Sequence, residues 1–183
     1  VGVDADQQRD DRGRRSVDAD GQVTGLTADE DQTATAGGVF VQTDTDLSDT
    51  LTLSLGARAD RVRLDIDDDL LADGDNSGDQ DFTESSYSAG LNWRYQPRHG
   101  VYATVSNAFE TPTFTELANP SGAGGFNPDL EPQKAVNHEV GGRGQLGDRL
   151  FYELALFRVD VRDEITPYEL GGRTFYDLSL IHI

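Results

Sequence analysis

The chain has no cysteine, no methionine, a single tryptophan and six prolines, and its 15 Lys plus Arg are set against 34 Asp plus Glu in 183 residues. Without cysteine there is no disulfide framework, no thiolate metal site and no cysteine nucleophile. The formal charge of −19 excludes nucleic acid as a partner, because Lys and Arg must neutralise phosphates and the summed field here repels them. No run reaches the roughly 18 apolar residues of a membrane-spanning helix; a spanning strand, needing about 9–11 residues with one apolar face, stays open. Apolar residues make up 36%, below the roughly 45–50% of an average globular domain, so a large two-sided core is not expected. The opening Val1-Gly2-Val3 carries neither initiator nor presequence and reads as the interior of a longer protein.

What is present is a period of two. Leu51, Leu53, Leu55, Ala57 and Ala59 alternate with Thr52, Ser54, Gly56, Arg58 and Asp60, and Tyr87, Ala89, Leu91, Trp93 and Tyr95 alternate with Ser88, Gly90, Asn92, Arg94 and Gln96. Strict alternation makes a strand with one wet and one apolar face. Further strands are expected at about 36–46, 100–109, 135–146, 149–161 and 170–176, seven in all. In the segment from Leu150 the apolar parity shifts from Leu154 and Leu156 to Phe157, Val159 and Val161, which predicts a bulge near Phe157 or Arg158.

Connections alternate in length. Short turns fall at 47–49, 96–99 and 147–148, and long polar insertions at about 65–84 and 110–134. Short turns at one end and long loops at the other are the pattern of an up-and-down outer-membrane barrel, and Trp93 and Tyr95, just before a short turn, suit its interfacial girdle. Residues 1–35 show no sustained period and read as one more polar extracellular loop, truncated at its start; 36–177 form the β region. Residues 178–183 break the preceding composition and are set aside as a non-native sequencing tail.

From residue 99 the motifs become specific. Phe109-Glu110-Thr111-Pro112, running on to Glu116-Leu117, matches Phe-x-x-Pro-x-x-x-Glu-Leu; Asn127-Pro128-Asp129-Leu130-Glu131-Pro132 follows, then Glu139-Val140-Gly141, then Phe157 and an Arg162-Asp163 strand ending. In this order the run resembles the TonB-dependent outer-membrane receptors, with Gln133 standing where Glu is usual. The resemblance is sharp over 85–176, diffuse over 36–64 and absent from 1–33 and 65–84. It implies an all-β, 22-stranded barrel of which this chain supplies about seven strands, a plug outside this stretch, and the outer membrane of a Gram-negative-type cell. It further implies outer-membrane lipid as surroundings, the TonB complex as a partner through the plug region, and a small-molecule metal chelate, a ferric siderophore or similar, as ligand. Phe109, Glu110, Pro112, Glu116, Leu117, Asn127, Pro128, Leu130, Pro132, Glu139, Gly141, Phe157 and Asp163 are expected to be structural, with Glu110, Glu116 and Glu139 capping loop amides. Gly122, Gly124 and Gly125 are expected to free the loop tip. Arg58, Arg94, Tyr102 and Arg143, opposite the apolar parity, are the candidates for a ligand path through the lumen.

Catalytic chemistry finds little footing, so no enzyme and no catalytic residue is expected. Glu110 and Glu116 sit on one strand-to-loop segment without a sugar cleft, His99 lies in a turn and His138 on an apolar parity, and no nucleophile elbow, Walker loop or dinucleotide fingerprint occurs. Between Asp65 and Glu84 there are eight Asp and one Glu with no Lys or Arg. Within it Asp73, Asp75, Ser77, Asp79, Asp81 and Glu84 fit an EF-hand oxygen skeleton for calcium, although Gln80 takes an apolar position and strands flank the loop. A solvated acidic loop is the plainer reading. Two other functions compete with active transport: a passive porin or adhesin-type barrel, and a secreted calcium-binding β domain.

Overall fold

The structure, a computed structural model, describes residues 1–120 and 124–179. Seven strands run in chain order through one antiparallel sheet: β1 (Gly2–Val17), β2 (Val23–Ser48), β3 (Leu51–Asp68), β4 (Gly78–Gln96), β5 (His99–Glu110), β6 (Gln133–Leu146) and β7 (Leu150–Arg162). Each strand pairs only with its sequence neighbours, the topology of a barrel wall opened along one side. Two further strands, β8 (Ile165–Leu170) and β9 (Arg173–Leu178), form a separate hairpin.

Six of the seven expected strands are β2 to β7, several of them longer than their apolar pattern, whereas the strand expected at 170–176 straddles the turn between β8 and β9 and lies outside the main sheet. Residues 1–33, expected as a loop, are β1 and the start of β2; the expected loop 65–84 contracts to the connection 69–77, the rest being β3 and β4. In both stretches the ladder continues where alternation has stopped, because polar residues pair across it: Arg12 lies opposite Glu30 at 3.6 Å, and Arg63 lies opposite Asp81 at 3.3 Å. Pairing holds the first extension, and in the second it is joined by burial of Ile66 and Phe82 on the opposite face. At 26 residues, β2 is more than twice the length a membrane strand needs. Of residues 178–183, Leu178 closes β9 and packs inward, and 180–183 lie outside the described residues.

Tracing parity through the pairing gives the sheet two distinct faces. On one lie Leu51, Leu53, Leu55, Tyr87, Leu91, Trp93, Val101, Val140, Leu154 and Leu156; on the other Thr52, Ser54, Arg58, Asn92, Arg94, Tyr102, Glu139 and Arg143. The apolar band does not follow the ladder rows. The first polar residue above it is Arg61 on β3, Ser85 on β4, Asn107 on β5, His138 on β6 and Arg158 on β7, while the row through Arg158 runs back by His138, Val105 and Ala89 to Leu55. Between β3 and β7 the band edge therefore drops from 61 to 55 in β3 numbering, six residues over four strand steps. That is roughly 5 Å of rise for every ~4.8 Å between strands, a tilt near 45°. Membrane barrels tilt their strands by about this much.

Above the band the polarity of the faces inverts. The formerly apolar face carries Arg61, Arg63, Asp65, Asp79 and Asp81 in a mesh of ion pairs, while the formerly polar face carries Val62, Leu64, Ile66 and Phe82. The same inversion accounts for β7. Its pairing with β6 is regular from Leu146↔Leu150 to Lys134↔Arg162, so the bulge expected near Phe157 or Arg158 is absent. Leu154 and Leu156 belong to the band; Phe157, Val159 and Val161 belong to the opposite face, where the strand has risen above it.

The only buried apolar cluster found among the described residues sits on that inverted face. Leu64 and Phe82 of the sheet meet Leu117 and Leu130 of the 111–132 connection, with Val62, Phe114, Phe126, Tyr176 and Leu178 packed around them. The connection is held shut by Leu117 N–H donating to the Thr113 carbonyl and Asn127 N–H donating to the Leu117 carbonyl. Leu117→Ala is expected to cost about 2–4 kcal/mol locally by opening a cavity under the roof. The readout is limited proteolysis of the full-length protein, where cleavage within 111–132 should accelerate while the sheet stays resistant.

Candidate functional site

This face of the sheet divides into two regions. The upper is the roofed apolar cluster; the lower is an open trough of about 1010 Å³ near the short turns, lined by Asp46, Thr52, Asn92, Arg94, Arg143 and Glu153 among others. Alternation positions the trough residues, because every second side chain of β2 to β7 must project there.

The four candidate ligand-path residues all project from this face, and three of them already make hydrogen bonds within the protein. Arg58 donates from Nη1 and Nη2 to the two carboxylate oxygens of Asp4 at 2.6 and 2.8 Å and from Nε to Asp60 at 2.7 Å, and its guanidinium lies 5.7 Å from the Phe40 ring centroid. Tyr102 donates its hydroxyl to Glu139 at 2.5 Å. Arg94 donates to the Asp49 carbonyl in the β2–β3 turn and, with Arg143, lines the trough. Arg58 is thus part of the wall, whereas Arg94 and Arg143 face the open space.

The motif residues have distinct mechanical roles. Glu116 caps a turn by accepting from both the Thr113 amide and the Thr113 hydroxyl at 2.7 and 2.9 Å. Glu139 instead accepts from Tyr102, and Glu110 is exposed at the end of β5. Pro112 and Pro132 are buried where the ladder ends, which suits residues that cannot donate to it. Asn127 is buried with its side-chain carbonyl accepting from Asp129 N–H, while Pro128 at its side is exposed. Leu117 and Leu130 are the roof's anchors. Gly141 lies beneath the Tyr102 ring: a Cβ there would stand 2.4 Å from Tyr102 Cζ, so Glu139 and Gly141 together form the seat for one tyrosine. Asp163, at φ 55°, takes the left-handed turn that ends β7, a conformation aspartate tolerates better than most residues. Phe109 ends β5 opposite Lys134, and Phe157 projects onto the inverted face. Of the loop-tip glycines, Gly124 and Gly125 have positive φ and Gly122 lies outside the described residues.

The acidic segment does not converge on a cation. Asp79 and Asp81 project from β4 toward Arg63 and Arg61, Glu84 pairs with Lys134 at 2.8 Å, and Asp75 accepts from Ser77 N–H; the side chain of Asp73 lies outside the described residues. No three His, Cys, Asp or Glu side chains come together for a metal among the described residues. The cause is the strand: it sends neighbours to opposite faces, where an EF-hand loop would curl them inward. The Arg61 guanidinium holds the Asp81 carboxyl below the usual range, and hydrogen bonding to Ser77 does the same for Asp75. The connection's real organiser is Asp68, unremarked in sequence. Its carboxylate accepts from Leu70 N–H and from both the backbone and side-chain amides of Asn76, an Asx clip signalled only by an Asp at the very end of the strand.

His99 belongs to the apolar face as part of an aromatic ribbon, Trp93–Tyr95–His99–Tyr152, with successive centroids 5.8, 6.0 and 5.8 Å apart and His99 Nδ1 2.9 Å from the Tyr152 hydroxyl. The expected girdle thus reaches from β4 to β7; Tyr152 shares the apolar parity of Leu150, Leu154 and Leu156, whereas His99 reads in sequence only as a turn residue.

A family model described as TonB dependent receptor-like, beta-barrel matches residues 1–177, including the first 33 residues, which carry none of the family's motifs. Vitamin B12 transporter BtuB of Vibrio vulnificus (strain CMCP6) is 33% identical over 96 residues, 51% of this chain and 13% of that protein. Among solved structures, the siderophore receptor PiuA from Acinetobacter baumannii aligns over 96% of this chain and 30% of its own at TM-score 0.67 and 16% identity. The ferric-catecholate import receptor Fiu from E. coli K12 aligns over 96% and 29% at TM-score 0.64 and 16% identity. The chain spans less than a third of the length of these relatives.

Gly141→Ala is expected to unseat Tyr102 and cost about 1–3 kcal/mol, since the methyl replaces the space under the ring. In a double-mutant cycle of the complete receptor in detergent, Tyr102→Ala should recover much of that loss in urea unfolding; strictly additive costs would mean that the two residues do not share a seat.

Proposed function

Because the chain belongs to the TonB-dependent receptor β-barrel family, whose members are outer-membrane transporters and not enzymes, we propose that it supplies wall and outer loops for active uptake of a scarce metal chelate. A ferric siderophore or similar chelate is the ligand class, and the TonB complex, acting through a plug, is the energy source. The observation that carries this reading is the division of the inner face. A packed apolar cluster roofed by Phe114, Leu117, Phe126, Leu130 and the β8–β9 hairpin lies on the long-loop side, and a polar trough lies on the short-turn side. A bulky ligand entering from outside meets this roof first; the trough, with Arg94 and Arg143 exposed on it, offers hydrogen bonds and charge to a plug seated below. A wall that is uniformly wet from end to end suits a passive pore better.

A second ligand reading, a corrinoid, is favoured by the identity shared with the Vibrio vulnificus B12 transporter over 96 residues. Both are metal chelates too large for passive diffusion, and one experiment separates them. Cells carrying the complete receptor are offered a radio-iron catecholate chelate and labelled cyanocobalamin in parallel. One label should accumulate, accumulation should stop when an uncoupler collapses the inner-membrane gradient, and Leu117→Asp in the roof should reduce it by tenfold or more. Uptake that is indifferent to the uncoupler would replace this reading with the passive pore.

A further inference from the structure

The ladder between β4 and β5 stops short. These strands pair from Gln96↔His99 up to Ser88↔Ser106, yet β4 runs on to Gly78 against β3 and β5 runs on to Glu110 against β6. Above the Ser88 row the wall therefore has a seam. Asn107 stands in it as a substitute rung: its Oδ1 accepts from Tyr87 N–H at 2.6 Å and its Nδ2 donates to the Ser85 carbonyl at 2.9 Å, both bonds open to water. Higher up, Lys134, the ladder partner of Phe109 near the end of β5, reaches across to Glu84 of β4 at 2.8 Å. Ser85 and Asn107 are the first polar residues above the apolar band on their strands, so β4 and β5 stay paired through the band and part at its upper edge, where water satisfies free backbone groups. Outside, an apolar furrow of about 620 Å³, lined by Leu53, Ala89, Leu91, Ala103 and Val105 among others, reaches the row just beneath the seam. Inside, a cavity of about 360 Å³ lies against the seam, lined by Gln42, Gly56, Ser86, Ser88, Ser106 and Asn107 among others. Phe82 of the buried cluster stands two same-face positions above Ser86.

We infer that the seam is a side entrance for an amphiphilic ligand: a chelate with an acyl tail, resting in the outer leaflet, passes its polar head between Tyr87 and Asn107 into the cavity on the inner face while its tail follows the furrow. Two features select that ligand. An amphiphile in the leaflet carries its head at the edge of the apolar band, level with Ser85 and Asn107, whereas entry from above the roof requires it to leave the leaflet altogether. The two sides of the seam also match the two halves of such a molecule, apolar along Ala89, Ala103 and Val105 outside, and rich in hydroxyls and amides at Gln42, Ser86, Ser88 and Ser106 inside. The hydrogen bonds of Asn107 are exposed and exchange with water at small net cost, so the seam opens without breaking the ladder below it. The inference rests on the proposed uptake for the nature of the head, and on the barrel's place in the outer membrane for its geometry.

The test uses the complete receptor in cells and has two arms. In the first, a maleimide on a myristoyl tail, dissolved in the outer leaflet, should prefer Ser86→Cys, at the seam, over Ser54→Cys, on the same face within the band, and this preference should exceed that of a water-soluble maleimide at least tenfold. In the second, Ser85→Cys and Asn107→Cys are joined across the seam by a short, reducible thiol-specific bridge. The bridge should cut uptake of a myristoylated radio-iron catecholate chelate at least tenfold, leave the same chelate without its tail within twofold, and lose its effect on reduction; uptake of the untailed chelate also reports that the bridged barrel is intact. A tailed maleimide with no added preference for Ser86→Cys, or a bridge that spares the tailed chelate or stops both alike, overturns the inference. If neither chelate enters the unbridged receptor, the uptake reading fails, and the labelling preference alone decides for or against the entrance.

Discussion

The ladder is the constraint on which everything else rests. Every strand from β1 to β7 must satisfy its backbone through its neighbours, and in a wall bounded by lipid no other partner is available. A strand held in this way cannot rotate its side chains when its surroundings change; it can only change which residues occupy the two parities. The inversion of polarity above the band follows from this. The same backbone that presents Leu51 to Ala59 to an apolar exterior presents Arg61 and Arg63 to water two residues later, and the face that carried Ser54 and Arg58 turns to Leu64 and Ile66 under the roof.

This also explains what was legible in the sequence. Inside the band, one face is apolar and the other wet, and 51–60 and 87–96 can be read without error. Above it, both parities of β1 and early β2 are polar or small, so no period marks them, although the ladder runs on through Arg12 and Glu30. At the boundary the signal misleads: the change of parity at Phe157 looks like an inserted residue, yet the register is unbroken. Loop-end strands β8 and β9 are short and pair only with each other, which left β8 without a mark in the pattern.

The site was legible to a similar depth. Parity alone placed Arg58, Arg94, Tyr102 and Arg143 on the inner face. It could not reveal that Arg58 is committed to Asp4, 54 positions earlier, or that Glu139 serves Tyr102 and not a loop amide. Contacts between strands far apart in sequence depend on register, which no local window contains. In the acidic run composition hides geometry: extended strands distribute Asp79, Asp81 and Glu84 among arginines and a lysine.

The glycines under large side chains have a consequence for assembly. Gly141 beneath Tyr102, Gly38 beneath the Arg58 guanidinium and Gly144 beneath His99 and Tyr152 each occupy a position where a Cβ would stand within 2.5 Å of a neighbour's side chain. Alternation is blind to a slip of two residues, which keeps every side chain on its own face and preserves the whole apolar pattern. Such a slip of β5 against β6 would drive Tyr102 onto Glu139 or Arg143 in place of Gly141, and one of β2 against β3 would take Arg58 off its glycine. The seats therefore act as a vernier laid over the period of two, discarding the misalignments that hydrophobicity alone would accept.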